Sequence, residues 1–302
     1  MMHVPVLLQE VIAGLDLHDG LTVVDGTLDG GGHARAIIPR IMPGGTFIGI
    51  DWDAAMVNTT RAALEKEFSS WRMALQCVHA NYAQLLDLIS KGTLPRPDRV
   101  LLDLGFSSHQ IDDPERGMSF QAEGPLDMRY DRTQGPSAAD IVNGATAKEL
   151  ADVLWQYGEE RFSRRIAQAI VDARRRERIE TTGGLAAIVA QAVPGFYRRG
   201  KINPATKTFQ ALRIAVNREL DNVTAFLEAL PVLLAPGGRV AIISFHSLED
   251  RLVKSYFRRY VQEGRGTLAS KKPIAPSHRE AHDNPRSRSA KLRILIMTPI
   301  QN

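Results

Sequence analysis

Four glycines that follow directly on an apolar run are the residues of this chain best suited to holding a ligand. The run ends at Asp25 and Gly26, and Gly30 to Gly32 precede a helix-like segment. Glycine tolerates positive φ and lets backbone N–H groups approach a bound molecule closely, at an entropic cost that an idle loop has no reason to carry. A second apolar run ends at Asp51, the position where a nucleotide-binding sheet holds ribose hydroxyls. The loop and this acid together predict a site for an adenosine-containing cofactor.

Two cofactor classes compete for this loop. A nicotinamide dinucleotide would prefer Gly-x-Gly-x-x-Gly within the first turn, whereas here Asp25 precedes Gly26 and the other glycines are consecutive. S-adenosylmethionine has no phosphate, and it needs one acid near the loop and another at the second strand. Asp25 and Asp51 meet that need, which favours S-adenosylmethionine, while a purely structural glycine turn stays open as a third interpretation.

Three other segments contain reactive residue types but lack the partners that their chemistry requires. The serines in residues 244–247 are not part of the nucleophile elbow Gly-x-Ser-x-Gly. His278 and His282 lie four residues apart in a proline-containing loop without an evident third metal ligand. The acidic segment 112–115 could bind a divalent ion, but a solvated loop explains it as well. We therefore predict neither nucleophilic catalysis nor a metal site.

Apolar runs alternate with helix-length segments over the first third of the chain. The strand-like runs lie at 21–25, 46–51, 74–78 and 99–104, and the helix-like segments lie at 34–41 and 54–68. This alternation predicts a parallel sheet with helices on both faces and right-handed crossovers. Ligands of such sheets bind beyond the carboxyl ends of the strands, which is where Gly30 to Gly32, Asp51 and Asp103 fall.

The pattern changes after Ser107 and indicates an insertion. Residues 110–136 are rich in Asp, Gly, Pro and Arg, have no sustained period and predict a long loop. Helical patterns follow, including a capping box at 146–149 and a long helix over 203–223.

The alternating pattern then resumes. It comprises a strand at 240–245, a helix at 248–260, a basic loop at 264–288 and a final strand at 292–297. We therefore predict a discontinuous α/β domain of residues 1–109 and 213–302. Residues 110–212 form the predicted inserted helical domain.

The composition is that expected of an intracellular protein with a substantial core. The chain has 302 residues, of which 44% are hydrophobic, enough for about two domains. Its one cysteine, Cys77, excludes an internal disulfide and a zinc site made of several thiolates, as expected in a reducing compartment. No segment has the pattern of a secretion signal or of a membrane span, so we expect a soluble cytoplasmic protein without membrane contact.

Positive charge is concentrated in the predicted insertion and its C-terminal flank. The net charge of the chain is +4, yet residues 161–219 hold thirteen basic residues against four acidic ones. The clusters at 174–176 and 198–201 could follow a phosphate backbone, which would make the partner a nucleic acid. A solvated helix face with a basic loop explains the same charges equally well.

Ten motifs, distributed over nearly the full chain, resemble those of one known family. They are HVPVLL at 3–8, DGT at 25–27, GGH at 31–33, LDLG at 102–105, DPERGMSF at 113–120, GPLDMR at 124–129, YGEER at 157–161, TFQALR at 208–213, SFHSLEDR at 244–251 and NPRSRS at 284–289. In this order they resemble the bacterial 16S ribosomal RNA (cytosine-N4) methyltransferase family of the MraW/RsmH type.

The resemblance implies a fold, a cofactor and a substrate. The fold would be a Rossmann-like class I methyltransferase with a doubly wound sheet and an inserted all-helical domain. The cofactor would be S-adenosyl-L-methionine, and the substrate would be the exocyclic N4 of one cytidine in the decoding region of 16S ribosomal RNA. The enzyme would act on this RNA either free of protein or within the small ribosomal subunit. The resemblance leaves open whether the protein forms a homodimer.

The resemblance also assigns residues to the cofactor. Those it implies are Gly31, Gly32 and His33 at the amino acid end, Asp51 at the ribose, Tyr82 beside the adenine, and Asp103 and Gln110 near the sulfonium.

The N4 amine of cytosine is a poor nucleophile because its lone pair is conjugated with the ring. The enzyme must therefore hold it in line with the methyl group and accept a hydrogen bond from it, and positioning supplies most of the rate. Asp103, at the end of its strand, is our candidate acceptor, unless it serves the cofactor alone.

The inserted helical domain is the predicted RNA-binding part of the chain. The residues expected to grip the RNA backbone are Arg174, Arg175, Arg176, Arg198, Arg199 and Lys201. Two other functions stay open at this point. A methyltransferase for protein or small molecules would use the same glycine loop but leave the basic insertion unexplained, and a noncatalytic RNA-binding factor would keep the pocket without turning the cofactor over.

Overall fold

The chain forms two compact units in the computed structural model, which describes residues 5–71, 74–105, 113–200 and 202–298. The first unit runs to Gly105 and resumes at Leu220, and the second ends at Glu219. The helices, in chain order, are α1 (Leu8–Leu15), α2 (Gly32–Ile37), α3 (Ala54–Glu67), α4 (Leu85–Ser90), α5 (Ala138–Gly144), α6 (Ala147–Gly158), α7 (Ser163–Arg174), α8 (Thr182–Ala192), α9 (Gly195–Arg198), α10 (Ala205–Asn217), α11 (Glu219–Leu233), α12 (Ser247–Gln262) and α13 (His278–Asp283). Within the described ranges, none of them is long and apolar enough to cross a bilayer.

The first unit is built on a seven-stranded sheet. Its strands are β1 (Thr22–Asp25), β2 (Thr46–Asp51), β3 (Ala74–His79), β4 (Arg99–Asp103), β5 (Arg239–Ser244), β6 (Gly266–Leu268) and β7 (Lys291–Met297). They lie in the order β3-β2-β1-β4-β5-β7-β6. Strands β1 to β5 are parallel, as the alternating pattern predicts, and the α/β fold class is confirmed.

The last two strands were not fully anticipated from the sequence. β7 is antiparallel to both of its neighbours, β5 and β6. The chain leaves β5, crosses back through α12 to β6, and β7 then inserts between these two strands. The predicted loop over 264–288 contains β6 and α13, which are too short to show a period: three and six residues.

Helices cover both faces of the sheet because alternate strand residues point to opposite sides. Val23 and Phe47 pack in a core with α1 and α2, whereas the adjacent Val24 and Ile48 pack in a second core with α11 and α12. All four side chains are fully buried. Such near-continuous apolar strands are typical of parallel sheets, whose polar functional residues are confined to the strand ends.

The second unit is a helical bundle over α5 to α10 with its own core. Ile166 and Ile170, four residues apart on α7, are fully buried in it, as the helical period predicts. The predicted capping box is also present, since Thr146 and Glu149 exchange hydrogen bonds at the start of α6. Each capping interaction of this kind stabilises a helix end by about 1 kcal/mol.

The long helix predicted over 203–223 is in fact two helices. α10 ends at Asn217, Arg218 has a left-handed φ of 50°, and α11 begins at Glu219. A left-handed conformation costs a non-glycine residue about 1 kcal/mol, and apolar periodicity alone does not reveal where a chain accepts that cost.

A buried polar network accounts for the break. The Asn217 side chain accepts from the Tyr130 amide and donates to the Met128 carbonyl, and Glu219 accepts a pair of hydrogen bonds from Arg213 at 2.8 and 3.0 Å. These bonds attach the end of α10 and the start of α11 to the helical unit. That unit therefore extends to Glu219, whereas the sequence set the boundary at residue 212.

Candidate functional site

Three aspartates end three neighbouring strands of the sheet. Asp51 ends β2, Asp25 ends β1 and Asp103 ends β4, and these strands are adjacent in the order β2-β1-β4. Since the strands are parallel, their carboxyl ends meet at one edge, the edge at which open α/β sheets bind ligands. The structure therefore brings together the three acids that the sequence placed at strand ends.

The glycine loop begins across these strand ends. The Gly26 amide donates to the Leu101 carbonyl of β4, and the Leu28 amide donates to the Ile50 carbonyl of β2, both at 2.9 Å. The loop thus continues the hydrogen-bonding pattern of both neighbours of β1. Its position is fixed by the sheet, which is the rigidity that a binding loop needs.

The second half of the loop adopts left-handed backbone conformations. Asp29 has a φ of 42° and Gly31 a φ of 73°. The Thr60 hydroxyl of α3 donates to the Asp29 carbonyl at 2.6 Å, and Arg35 of α2 donates to the Gly30 carbonyl at 2.7 Å. A Cβ on Gly31 would lie only 2.9 Å from the Thr60 methyl group, so both φ and space require glycine there.

Asp51 is held by two backbone amides. One carboxylate oxygen accepts from the Asp29 amide at 2.8 Å and the other accepts from the Asp53 amide at 2.9 Å. Burial outweighs these bonds and, together with the negative charges of Asp29 and Asp53, raises the pKa of Asp51 to about 6. A carboxylate oxygen can accept more than one hydrogen bond, so Asp51 keeps acceptor capacity for a pair of ligand hydroxyls.

Thr27 connects the other two aspartates. Its amide and hydroxyl approach Asp25 Oδ1 at 3.1 and 3.3 Å, and its hydroxyl oxygen accepts from the Asp103 amide at 2.7 Å. Asp103 Oδ1 in turn accepts from the Gly105 amide at 3.2 Å. Sequence reasoning missed this bridging role of Thr27, although its place two residues after Asp25 in the DGT motif was an available signal.

Burial and mutual repulsion keep protons on these two acids at unusually high pH. Burial is the largest cause that raises the pKa of Asp25 to about 7, and the charges of Asp51 and Asp29 add to it. Burial likewise raises the pKa of Asp103 to about 7, with contributions from Asp25, Asp29 and Glu249. Like charges that are close and desolvated resist ionisation together.

His33 faces Asp103 from the first turn of α2. Its Nδ1 lies 4.0 Å from Asp103 Oδ2, and its Nε2 lies 3.1 Å from the Val6 carbonyl oxygen. A carbonyl only accepts hydrogen bonds, so Nε2 carries a proton and Nδ1 is the nitrogen turned toward Asp103. The N-terminal motif also touches the loop at Gly32, where a Cβ would lie 3.0 Å from Pro5.

This edge of the sheet fits a cationic ligand. Three clustered carboxylates with raised pKa values repel one another, and a positive group placed among them would relieve that repulsion. S-adenosylmethionine carries a sulfonium and an ammonium, and its ribose hydroxyls suit the acceptors of Asp51. The donor and acceptor set therefore fits the cofactor that the sequence predicts.

Two further predicted cofactor residues differ in what the structure says of them. Tyr82 is half-buried and packs edge-on against Phe226, with ring centroids 6.0 Å apart. It lies beside the glycine loop, because a Cβ added to Gly26 would be 3.1 Å from the Cβ of Tyr82. Its place beside an adenine stays a prediction. Gln110 lies outside the described residues.

The predicted RNA-binding arginines fall into two groups. Arg174 was expected to contact RNA, but one of its guanidinium nitrogens donates to the carbonyls of Val142 and Ala145, at 2.7 and 2.6 Å. The last carbonyls of a helix lack intrahelical partners, so Arg174 caps the end of α5 instead. Arg175, Arg176, Arg198 and Arg199 are exposed, and Lys201 lies outside the described residues.

Two of the three segments that lacked partners for their chemistry cap a helix or a turn. His246 is the N-cap of α12, where it forms a capping box with Glu249. His278 and His282 lie on α13, and both are exposed. Asp113 accepts from the Glu115 amide at the start of a short 3-10 turn.

The family comparison matches almost the entire chain. A family model described as the MraW methylase family matches residues 1–298. A protein of Syntrophus aciditrophicus named "Ribosomal RNA small subunit methyltransferase H" is 45% identical, and the alignment covers 96% of each chain. One of the same name from Thermomicrobium roseum is 46% identical over 96% of this chain and 92% of that one.

Among solved structures, a putative rRNA-methylase from Clostridium thermocellum superposes with a TM-score of 0.47 at 10% identity, covering 98% of this chain and all of that one. A TM-score below 0.5 indicates only a loose similarity of fold. The sequence relatives are therefore what connects the chain to known proteins.

Proposed function

Since the chain belongs to the MraW methylase family, we propose that it transfers a methyl group from S-adenosylmethionine to the exocyclic N4 of a cytidine in the decoding region of 16S ribosomal RNA. Family membership makes it an S-adenosylmethionine-dependent ribosomal RNA methyltransferase. Three details of the substrate are proposals: the methylated nitrogen, the nucleotide that carries it, and the assembled small subunit. The location in the cytoplasm is also a proposal. The observation that carries the proposal is the trio of strand-end carboxylates around the glycine loop.

The cofactor would be held by residues whose geometry is already set. Asp51 would accept from the ribose hydroxyls, and Gly31, Gly32 and His33 would border the amino acid end, where the start of α2 presents backbone amides. Once bound, S-adenosylmethionine supplies an electrophilic methyl group on a positively charged sulfur. The carboxylates at the strand ends would complement that charge.

Asp103 would act on the acceptor amine. We propose that its carboxylate accepts a hydrogen bond from N4, which orients the nitrogen and returns electron density to it. N4 must lose a proton as it receives the methyl group, and Asp103 would take that proton. The pKa of Asp103 is about 7 in the ligand-free protein, and a bound cation lowers it, so the carboxylate is ionised near neutral pH and can accept that proton.

The pH dependence of cofactor binding follows from the raised pKa values. A bound cation lowers the pKa of Asp25 and Asp103 below about 7, so binding releases protons at neutral pH. Affinity should therefore rise with pH up to about 7 and fall about tenfold per carboxylate for each pH unit below it.

Calorimetry in buffers of different ionisation enthalpy measures this proton release. The amino group of the cofactor titrates too, so the matched control is Asp25→Asn, which keeps the acceptor for Thr27 and removes one titrating group. The variant should release fewer protons than the wild type. Equal proton release by the two proteins would contradict the assignment.

The exposed arginines at the end of α9 are the proposed phosphate contacts. A stacked or paired base must be swung out to reach the pocket at a cost of a few kcal/mol, and phosphate contacts help to offset it. Replacing Arg198 and Arg199 together by Gln should weaken RNA binding about tenfold and lower the slope of log K against log salt by about 1.5 units.

Arg174→Gln is the matched control, measured on the same RNA by fluorescence anisotropy across a salt series. Because Arg174 donates to two helix-end carbonyls, its loss should lower the free energy of unfolding by about 1–3 kcal/mol. The salt slope of RNA binding should stay unchanged. A salt slope that changes for Arg174→Gln but not for the double variant would overturn the assignment.

The proposed acceptor is tested by mass spectrometry. Small subunits that lack the modification are incubated with the enzyme and S-adenosylmethionine carrying a deuterated methyl group, and their RNA is digested to nucleosides. We expect the label on N4 of one cytidine. Label on a ring carbon or a ribose hydroxyl, or on no nucleoside, would refute the proposal.

A further inference from the structure

An exposed aromatic ring in the helical unit is supported by an arginine and has no part in the site described above. Phe196, on α9, is 64% exposed. The guanidinium carbon of Arg161 lies 5.6 Å from the centroid of its ring, and 4.8 and 4.9 Å from those of Tyr197 and Phe162. A cation at such distances is attracted to the ring faces, so Arg161 holds the three rings as one cluster.

The foundation of this cluster is rigid. Glu160 is fully buried, accepts from the Tyr197 hydroxyl at 2.7 Å and accepts from the Phe162 amide at 2.8 Å. Burial and this bond raise the pKa of Tyr197 to about 12, so the phenol stays a donor. Phe162 and Tyr197 also pack edge to face, with centroids 5.0 Å apart. A ligand that met Phe196 would therefore meet a pre-organised surface, which lowers the entropic cost of binding.

The charge around Phe196 is positive and not neutralised by ion pairs. Arg161, Arg198 and Arg199 are exposed, and within the described residues none of them has a carboxylate oxygen within 4.0 Å. Elsewhere in the same unit Arg175 pairs with Asp172, and Arg178 pairs with Asp140 and Glu180. The cations near Phe196 thus stay available to an anionic partner.

We propose that Phe196 is a stacking platform for an unpaired base of the RNA substrate, with neighbouring phosphates on the arginines of α9 and on Arg161. Exposed aromatics interleaved with cations are the combination that single-stranded nucleic acid requires, because the rings stack on bases and the cations follow the backbone. The inference rests on the proposed function only in taking the partner to be RNA. It adds a contact to a base other than the one methylated.

The test compares binding of two labelled ligands of equal length and charge. One is a single-stranded cytidine ribo-oligonucleotide, and the other is its abasic counterpart, which keeps the phosphates and lacks the bases. Phe196→Leu in the full chain should weaken binding of the cytidine oligomer about tenfold, near the lower end of base–aromatic stacking, and leave the abasic oligomer unaffected. Phe196→Trp should restore binding of the cytidine oligomer.

Trp155→Leu is the matched control, since Trp155 is 61% exposed on α6 of the same unit and has no guanidinium over its ring among the described residues. It should change neither affinity. Equal affinity of wild type and Phe196→Leu for the cytidine oligomer, equal losses on both oligomers, or no binding by the wild type would each overturn the platform. The transfer assay on small subunits is read separately, so a wrong methyl acceptor would refute the proposed function without deciding the binding result.

Discussion

Asp103→Asn is expected to lower the rate of methyl transfer about 100-fold or more while leaving the fold intact. The amide keeps an oxygen for the Gly105 amide, so the local structure is retained, but it can no longer take a proton from N4. Proton transfer by a positioned side chain contributes about 10²–10⁴-fold to a rate. The measurement is the single-turnover rate with unmodified small subunits at saturating cofactor.

The pH profile distinguishes a base from a mere cofactor contact. For the wild type, the single-turnover rate should rise with pH through an apparent pKa set by Asp103 in the complex, because only the ionised carboxylate accepts a proton. Asp103→Asn should show a flatter profile. If the variant instead keeps full turnover and only binds cofactor more weakly, Asp103 serves the cofactor alone.

Asp51→Asn is expected to raise the dissociation constant for S-adenosylmethionine about 100-fold. Both carboxylate oxygens of Asp51 accept backbone amides, from Asp29 and Asp53, so one of them would face the NH2 group of the variant. The side chain would also lose the charge-assisted bonds to two ribose hydroxyls, each contributing roughly 1.5–3 kcal/mol. Titration calorimetry, with a thermal melt of each protein, measures both effects.

Asp53→Asn provides the control for Asp51→Asn. Asp53 lies two residues away and caps α3 by accepting from the Ala55 and Met56 amides, a role that asparagine fills equally well. The same charge is removed from the same segment, yet cofactor affinity should change little. Equal losses in the two variants would mean that net charge, rather than contact with Asp51, governs binding.

The strand ends and their acids were predictable because both follow from local pattern. Apolar runs end at Asp25, Asp51 and Asp103, and the parallel-sheet rule brings such ends to one edge without any knowledge of packing. The glycine loop was predictable for the same reason, since left-handed turns such as that at Gly31 leave a direct trace in residue type. The DGT motif gave a signal for the contact of Thr27 with Asp25, but not for its bond to Asp103, which is 76 residues away in the chain.

The features that sequence reasoning missed depend on contacts between distant residues. The helical period around Arg218 does not show that Tyr130, almost ninety residues earlier, forms hydrogen bonds with the side chains of Asn217 and Glu219. Arg174 looks the same in sequence as Arg175, and only the end of α5 beside Arg174 shows that its guanidinium caps a helix. The Phe196 cluster likewise joins two segments that are thirty-five residues apart.

In the proposed complex the strand-end carboxylates surround the cofactor, and Asp103 contacts the acceptor amine. A crystal structure of the protein with S-adenosylhomocysteine and cytidine would show both contacts at once. We expect the ribose hydroxyls on the Asp51 carboxylate and N4 of the cytosine within hydrogen-bond distance of Asp103. Asp103 bonded to the ammonium of the ligand instead, with the cytosine amine on a different residue, would contradict it.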